Sequence, residues 1–336
     1  MPRAVSKKAE TDILKLIPAP KKPPVRTRLR IGIHTSTAGG VENAAERAYR
    51  LGCSALQVFS SSPRQWKPAE LGRSQCEIMT SLRTKYDLSP LVIHANYLIN
   101  VAGVTPEFHR KSVEAFRAEV QRGIALCADF LVFHPGSFRG GTREEGLTRA
   151  AEAIEEAVDG LGIEKSNLKI TVENTAGAEY SLGGSFEQVA ELMERLRKHV
   201  PVAACIDTCH THVAGYDITT RKGFDQTLQK LDATVGLKNV GVWHCNDAKA
   251  PCGSKLDRHQ HIGQGTIGLE PFRWLLNDAR TEHAAFIAET PIDEPLDDLK
   301  NIDALKSVVK SKGKTQHGGA KTRRIRGTGS NPQALK

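Results

Sequence analysis

The sequence predicts a single (β/α)8 barrel, and three observations carry that prediction. Short apolar runs alternate with helix-length amphipathic stretches eight times. Each run stops at or beside a residue able to hold a metal or touch a polar substrate: His34, Gln57, His94, His134, Glu173, Asp207, His244 and Glu289 in turn. The alternation fills about 280 residues, an ordinary size for one such barrel. A strand that is apolar along its body and polar at its tip packs the one and offers the other. In this fold the carboxyl-end tips converge on one site.

The elements follow in order. Runs at 30–33, 55–59, 91–93, 130–133, 168–172, 202–206, 240–243 and 285–288 are near-continuous β-branched and aliphatic segments, as strands buried on both faces require. Amphipathic stretches at 41–51, 70–86, 106–127, 143–161, 185–199, 223–235, 269–281 and 296–310 predict the intervening helices. Strict alternation implies a parallel sheet with right-handed crossovers, and eight repeats favour closure. The barrel domain is therefore expected over 29–310. Residues 1–28 are basic and proline-rich without a sustained apolar period, and 311–336 carry the cluster Lys321, Arg323, Arg324 and Arg326. Both ends are expected to be disordered basic tails.

The net charge is +9 and the pI about 9.2, although the expected site is rich in carboxylates. That balance favours a polyanionic partner, nucleic acid before membrane, unless solvated tails alone supply it. No apolar run approaches the roughly 20 residues of a membrane span. Seven cysteines with no regular spacing, and no signal peptide, imply reduced thiols inside a cell. Cys53, Cys127 and Cys205 read as core residues.

The chemistry begins at Asp207-Thr-Cys-His210, a carboxylate and an imidazole three residues apart where a strand gives way to a loop. Asp257-Arg-His259 is a second pair, placed on one side of an extended segment by alternation across one residue. With His94, His134, Glu173, His244 and Glu289 these make five imidazoles and four carboxylates. One zinc ion takes four or five ligands, so the set suits three ions better than one. Imidazole with carboxylate favours zinc, or manganese and iron, over calcium or magnesium. Three divalent ions against four carboxylates leave about +2, a pocket that attracts a phosphodiester and absorbs charge developing on it.

At these residues the chain resembles the endonuclease IV family, zinc-dependent apurinic/apyrimidinic endonucleases on a TIM barrel. The resemblance covers about 29–305. It rests on Gly32-Ile-His-Thr-Ser36, Pro63-Arg-Gln-Trp66, His94 through Asn100, Phe133-His-Pro-Gly-Ser137, Val172-Glu-Asn-Thr-Ala-Gly177, Cys205-Ile-Asp-Thr-Cys-His210, Asn246-Asp-Ala-Lys249, Asp257-Arg-His259, Ile262-Gly-Gln-Gly265 and Glu289-Thr-Pro291. It implies a first zinc on His94, His134 and a bridging Glu173. A second would share Glu173 and add Asp207, His244 and Glu289, and a third would take His210, Asp257 and His259. Glu173, Asp207 and Glu289 are the carboxylates expected to matter most in catalysis, and manganese is an alternative at one site.

The implied reaction is in-line hydrolysis of the phosphodiester 5′ to an abasic site, with no side-chain nucleophile, leaving a 3′ hydroxyl and a 5′ deoxyribose phosphate. Cleaning of blocked 3′ ends is a related activity. The implied partner is damaged duplex DNA, met by a monomer, in base-excision repair. Its compartment would be the nucleus or mitochondrion in a eukaryote and the cytoplasm in a bacterium. The resemblance also places Arg64 and Tyr97, in the loops after the second and third strands, in the minor groove. There, unstacking costs least where a base is missing. Arg258, between two expected ligands, suits a phosphate by bidentate geometry.

His109, His199 and His283 read as surface or packing residues, and His34 as a hydrogen-bonding support. Asn96, Cys245 and His212 depart from the family pattern without removing a ligand. Cys209, Cys245 and His212 are expected near the ions, where they could take an adventitious metal. Two other readings compete. A two-metal sugar isomerase or epimerase on the same barrel has no use for His210, Asp257, His259 or Arg64. A catalytically silent binder of damaged DNA should lack ligands that this chain keeps.

Overall fold

The computed structural model describes residues 11–310. Its strands are β1 (Arg30–His34), β2 (Ala55–Phe59), β3 (Leu91–His94), β4 (Phe130–Phe133), β5 (Lys169–Glu173), β6 (Val202–Asp207), β7 (Val240–His244), a hairpin of β8 (Asp247–Ala248) with β9 (His259–Gln260), and β10 (Ala285–Ala288). Omitting the hairpin, the strands close into a parallel barrel in the order β1-β10-β7-β6-β5-β4-β3-β2. The helices are α1 (Ile13–Leu16), α2 (Asn43–Arg50), α3 (Arg73–Tyr86), α4 (Pro106–Ala125), α5 (Arg143–Val158), α6 (Phe186–Leu196), α7 (Thr208–Ala214), α8 (Arg221–Thr234), α9 (Leu269–Leu275) and α10 (Asp297–Ser307).

Local chemistry marks the helix starts. Thr142 and Glu145 form a reciprocal capping box on α5, and the side chains of Ser185 and Thr220 cap α6 and α8. The barrel interior is filled by Ala55, Val92, Val132, Cys205, Val242, Ala285 and Ile287. A larger shell packs the helices on the outside. Gly32 is needed for closure, because a Cβ there would stand 2.2 Å from the Ala55 carbonyl oxygen. Parallel register then sets the tips side by side: His34 opposite Gln57, Phe59 opposite His94, and Asp207 opposite His244.

Some expectations need correction. Within 1–28, expected from sequence to be a disordered tail, residues 12–17 pack on the barrel wall. Ile13 is buried, Asp12 caps α1, and the buried Arg47 guanidinium donates to the Asp12 carboxylate (3.0 Å) and the Ser36 and Ala38 carbonyls. The apolar stretch 13–17 is too short to show a period and gains its burial from α2. The remaining tail expectations, at 1–10 and 311–336, lie outside the described residues. The loop after Asp207 is instead α7, started by the Asp207 side chain and ended by Gly215 at φ 111°. Cys53 and Cys205 are buried, but Cys127 is exposed just past α4 with φ 51°. Among the described residues no helix is long and apolar enough to cross a membrane.

Candidate metal centre

The expected ligands arrive from neighbouring parts of the barrel mouth. His94, Glu173, Asp207 and His244 are the last residues of β3, β5, β6 and β7, while His134 and Glu289 directly follow β4 and β10. His210 stands in the first turn of α7. Asp257 and His259 lie on the arm leading into β9, and their side chains meet on one side as alternation requires. Glu173, Asp207 and His244 are fully buried, a cost that charged and polar groups bear only with close partners.

The nine residues fall into three groups, and in each the potential ligand atoms lie within 4.8 Å of one another. In the first, Glu173 Oε2 is 3.2 Å from His94 Nε2 and 3.1 Å from His134 Nε2. In the second, Glu173 Oε1 is 2.9 Å from His244 Nδ1, which is 3.1 Å from Glu289 Oε2 and 3.9 Å from Asp207 Oδ2. In the third, Asp257 reaches His210 Nε2 at 3.2 Å and His259 Nε2 at 3.3 Å. Glu173 thus belongs to two groups, one through each carboxylate oxygen.

Hydrogen bonds behind the ligands decide which nitrogen faces the site. His94 Nδ1 meets the Ala95 carbonyl at 2.8 Å, His210 Nδ1 the Asn174 carbonyl at 2.9 Å, and His259 Nδ1 the Glu289 carbonyl at 2.9 Å. A carbonyl only accepts, so each Nδ1 carries a proton, and each Nε2 is the nitrogen that presents a lone pair when the ring is neutral. His244 is reversed: its Nε2 donates to Gln57 Oε1 at 2.8 Å, leaving Nδ1 for the site. This is the arrangement by which outer partners orient metal-binding imidazoles. Among the described residues His259 Nε2 is buried with no well-aligned hydrogen bond, only the Asp257 carboxylate 3.3 Å away, and a ring nitrogen so placed fits a cation once the ring is neutral. With its imidazole and carboxylate composition, the donor set fits divalent zinc or manganese.

Electrostatics agree with the geometry. Burial pulls the imidazoles of His94 and His259 down, but the facing carboxylates of Glu173 and Asp257 prevail and lift both to about 9. Burial likewise opposes the charge on Glu173, yet the His244 and His134 imidazoles hold it well below the usual carboxylate range. Asp257 and Glu289 are depressed in the same way. Protons on the imidazoles thus balance the carboxylates, a role that a bound cation can take over.

Around this centre, Tyr97 is 67% exposed at the rim, edge-on to Phe59 with ring centroids 5.0 Å apart. Arg64 is exposed in the loop after β2, and Arg258 is exposed beside Asp257. A cleft of about 300 Å3 is walled by His134, Tyr97, Asp257 and Glu289. His34 hydrogen-bonds Gln57 at 2.9 Å and joins no ligand group, as a support would. Of the expected adventitious ligands, only Cys209 lies near the ligand atoms, with Asp207 and His259. Cys245 is in the apolar core, and His212 turns to Thr266 Oγ1 at 3.2 Å. His212 lies about 200° round α7 from His210, and Cys245 follows His244, so both turn from the ligands into the packed interior.

Sequence reasoning missed the supporting layer. Asn174 Oδ1 accepts from the Asp207 amide, and Asn246 bridges Asp207 Oδ2 to the Glu289 amide. Asp247 accepts backbone N–H groups from Ala248, Gly263, Gly265, Ile267 and Gly268, which holds the hairpin against the barrel. The available signal was that Asn174 and Asn246 each stand within two residues of a ligand on their strand or turn, with Asp247 next in line.

Residues 41–311 match the xylose isomerase-like TIM barrel family. The chain is 45% identical over 286 residues to a probable endonuclease 4 of Solibacter usitatus, covering 84% of this chain and 98% of that one. It is 38% identical over 283 residues to a probable endonuclease 4 of Cenarchaeum symbiosum, covering 84% of this chain and 100% of the relative. The crystal structure of endonuclease IV from Thermus thermophilus superposes with a TM-score of 0.74 at 36% identity, over 83% of this chain and 98% of that chain. A D-tagatose 3-epimerase-like protein shares the fold at a TM-score of 0.62 and 20% identity, over 83% of this chain and 97% of that one. Fold, tip residues and sequence relatives agree: the chain belongs to the endonuclease IV family.

Proposed function

We propose that this member of the endonuclease IV family is a metal-dependent nuclease of base-excision repair. It hydrolyses the phosphodiester 5′ to an abasic site, leaving a 3′ hydroxyl and a 5′ deoxyribose phosphate, and also clears blocked 3′ ends. The observation that carries the reading is the convergence of nine imidazole and carboxylate residues into three ligand-sized groups at one barrel mouth. The third group, His210, Asp257 and His259, favours phosphodiester chemistry over sugar isomerisation, which needs at most two ions. When bound, about three divalent ions, zinc with manganese as an alternative at one site, would polarise the phosphate, lower the pKa of water and offset charge on the leaving oxygen.

The chain's own residues supply placement. Glu173 serves two groups with its two oxygens, so both keep a fixed separation. Gln57, Ala95, Asn174 and Glu289 hold the imidazole rings in the tautomers that face inward. Arg64 and Tyr97 stand on rim loops where they can enter a minor groove beside a missing base, and Arg258 can take a phosphate. The partner is duplex DNA, met by a monomer inside the cell.

The test is a duplex carrying one tetrahydrofuran abasic analogue. Metal-replete protein should nick it on the 5′ side and leave an extendable 3′ end, read on a denaturing gel and by polymerase extension. No nicking by metal-replete protein rejects the reading.

A further inference from the structure

We infer that Glu119 and Arg122 of α4, with Ser60, form a strut that positions the two rim loops for gripping DNA. The inference rests on the reading of those loops as DNA contacts. Ser60 directly follows β2, and its hydroxyl donates to Glu119 Oε2 at 2.6 Å. Arg122, one turn along α4, donates from Nε to the same hydroxyl at 2.8 Å, from NH2 to the Ser60 carbonyl, and from NH1 to the Ala69 carbonyl at 2.8 Å. The guanidinium therefore closes the base of segment 60–69, the loop that carries Arg64. The Asn96 main chain, at the start of the loop that carries Tyr97, also lies against the Glu119 carboxylate and opposes the rise in pKa that burial imposes on it.

A merely architectural role accounts poorly for this arrangement. Glu119 is 3% exposed on a buried helix face that includes Val113, Phe116 and Val120, where a hydrocarbon would dock α4 at lower cost. The hydrogen bonds of both charged side chains run to the loop after β2 and to none of the strands, and Glu119 faces the Asn96 main chain besides. The relay has one direction, because a guanidinium only donates: Arg122 to Ser60, then Ser60 to Glu119. Arg64 itself is exposed, with no ion pair among the described residues, so its placement depends on its loop. A loop held in its binding shape before contact loses less freedom on binding.

The experiment compares Ser60→Ala, Ser60→Thr and Arg122→Lys, alone and combined with Arg64→Ala, on the tetrahydrofuran duplex. Bound zinc per chain is measured for each variant. Ser60→Ala and Arg122→Lys should raise KM roughly three- to tenfold with kcat and zinc content unchanged, an effect of the size expected for coupled neighbours. Ser60→Thr should restore KM, and the penalty should vanish in the Arg64→Ala background. Equal penalties with and without Arg64, or a fall in kcat and zinc alongside KM, would overturn the strut. If Arg64→Ala weakens binding while the strut variants do not, the strut alone fails. If Arg64→Ala leaves affinity unchanged, the DNA-contact reading of the loop fails and takes the strut with it.

Discussion

Glu173 Oε1 lies 2.9 Å from His244 Nδ1, while Oε2 of the same carboxylate faces His94 and His134 at 3.2 and 3.1 Å. One fully buried side chain thus joins ligand groups from both halves of the mouth. Glu173→Gln keeps the shape and replaces one oxygen by an NH2 group that cannot accept. It should lower turnover on the tetrahydrofuran duplex by about 10²-fold or more, the scale of losing a group that supports charge in the transition state. Affinity for the same duplex should change far less, as checked by fluorescence anisotropy. Equal losses in both would mean that the mouth itself had collapsed.

Gln57 joins His244, Glu289 and His34 with one amide. Its Oε1 accepts from His244 Nε2, and its Nε2 donates to Glu289 Oε1 and lies 2.9 Å from His34 Nδ1. Gln57→Leu is close in volume but releases the His244 ring and leaves its buried N–H unpaired. Zinc affinity should fall about 10- to 100-fold, the range seen when partners behind a ligand are removed. Competition with a fluorescent chelator measures it. Unaltered affinity would show that the ring is held by packing alone.

Most strand tips were legible because most barrel strands are apolar runs that end on a polar residue at the mouth, as at His94, Asp207 and His244; β2 is the exception, with Gln57 inside the strand. Asp257 and His259 were legible for a different reason: alternation in an extended arm puts residues two apart on one side. The register that sets His34 beside Gln57 depends on pairing between separate strands, and no local pattern contains it. The same is true of the α1 segment, whose burial is supplied by α2. Glu119 left a trace in sequence, a charge on the apolar face shared by Val113, Phe116 and Val120. Its meaning required seeing Ser60 and Asn96 on the other side.

Asp247 gathers five backbone N–H groups, from Ala248 and from the turn at 263–268, with both carboxylate oxygens in use. An Asp247→Asn side chain turns one of those acceptors into a donor aimed at N–H groups, stranding several of them. Each stranded group costs about 1–3 kcal/mol. Because β8 pairs with β9, whose first residue is His259, the loosened hairpin should weaken the third ligand group first. Metal analysis after dialysis should show loss of about one ion per chain with the other sites retained. Proportional loss from every site would refute this local role.

Stability against pH separates the two ways of balancing the buried carboxylates. In stripped protein, His94 and His259 titrate at about 9, against ~6.5 in an unfolded chain. Their protonated form is favoured by folding, so the stabilisation is complete below about pH 6.5 and is lost as pH rises through about 9. Glu173, Asp257 and Glu289 are held low, so their contribution is complete above about pH 4.5 and lost only in stronger acid. Chelated protein should therefore show its highest Tm between about pH 5 and 6.5 and a falling Tm toward pH 9. Zinc binding displaces the imidazole protons, so the loaded protein should keep its Tm over that alkaline range and the gap between the two forms should widen with pH. Differential scanning fluorimetry of both forms from about pH 5 to 9.5 measures it. A Tm that stays level from about pH 6.5 to 9 after chelation would mean that imidazolium is not what neutralises the carboxylates in the ion-free state.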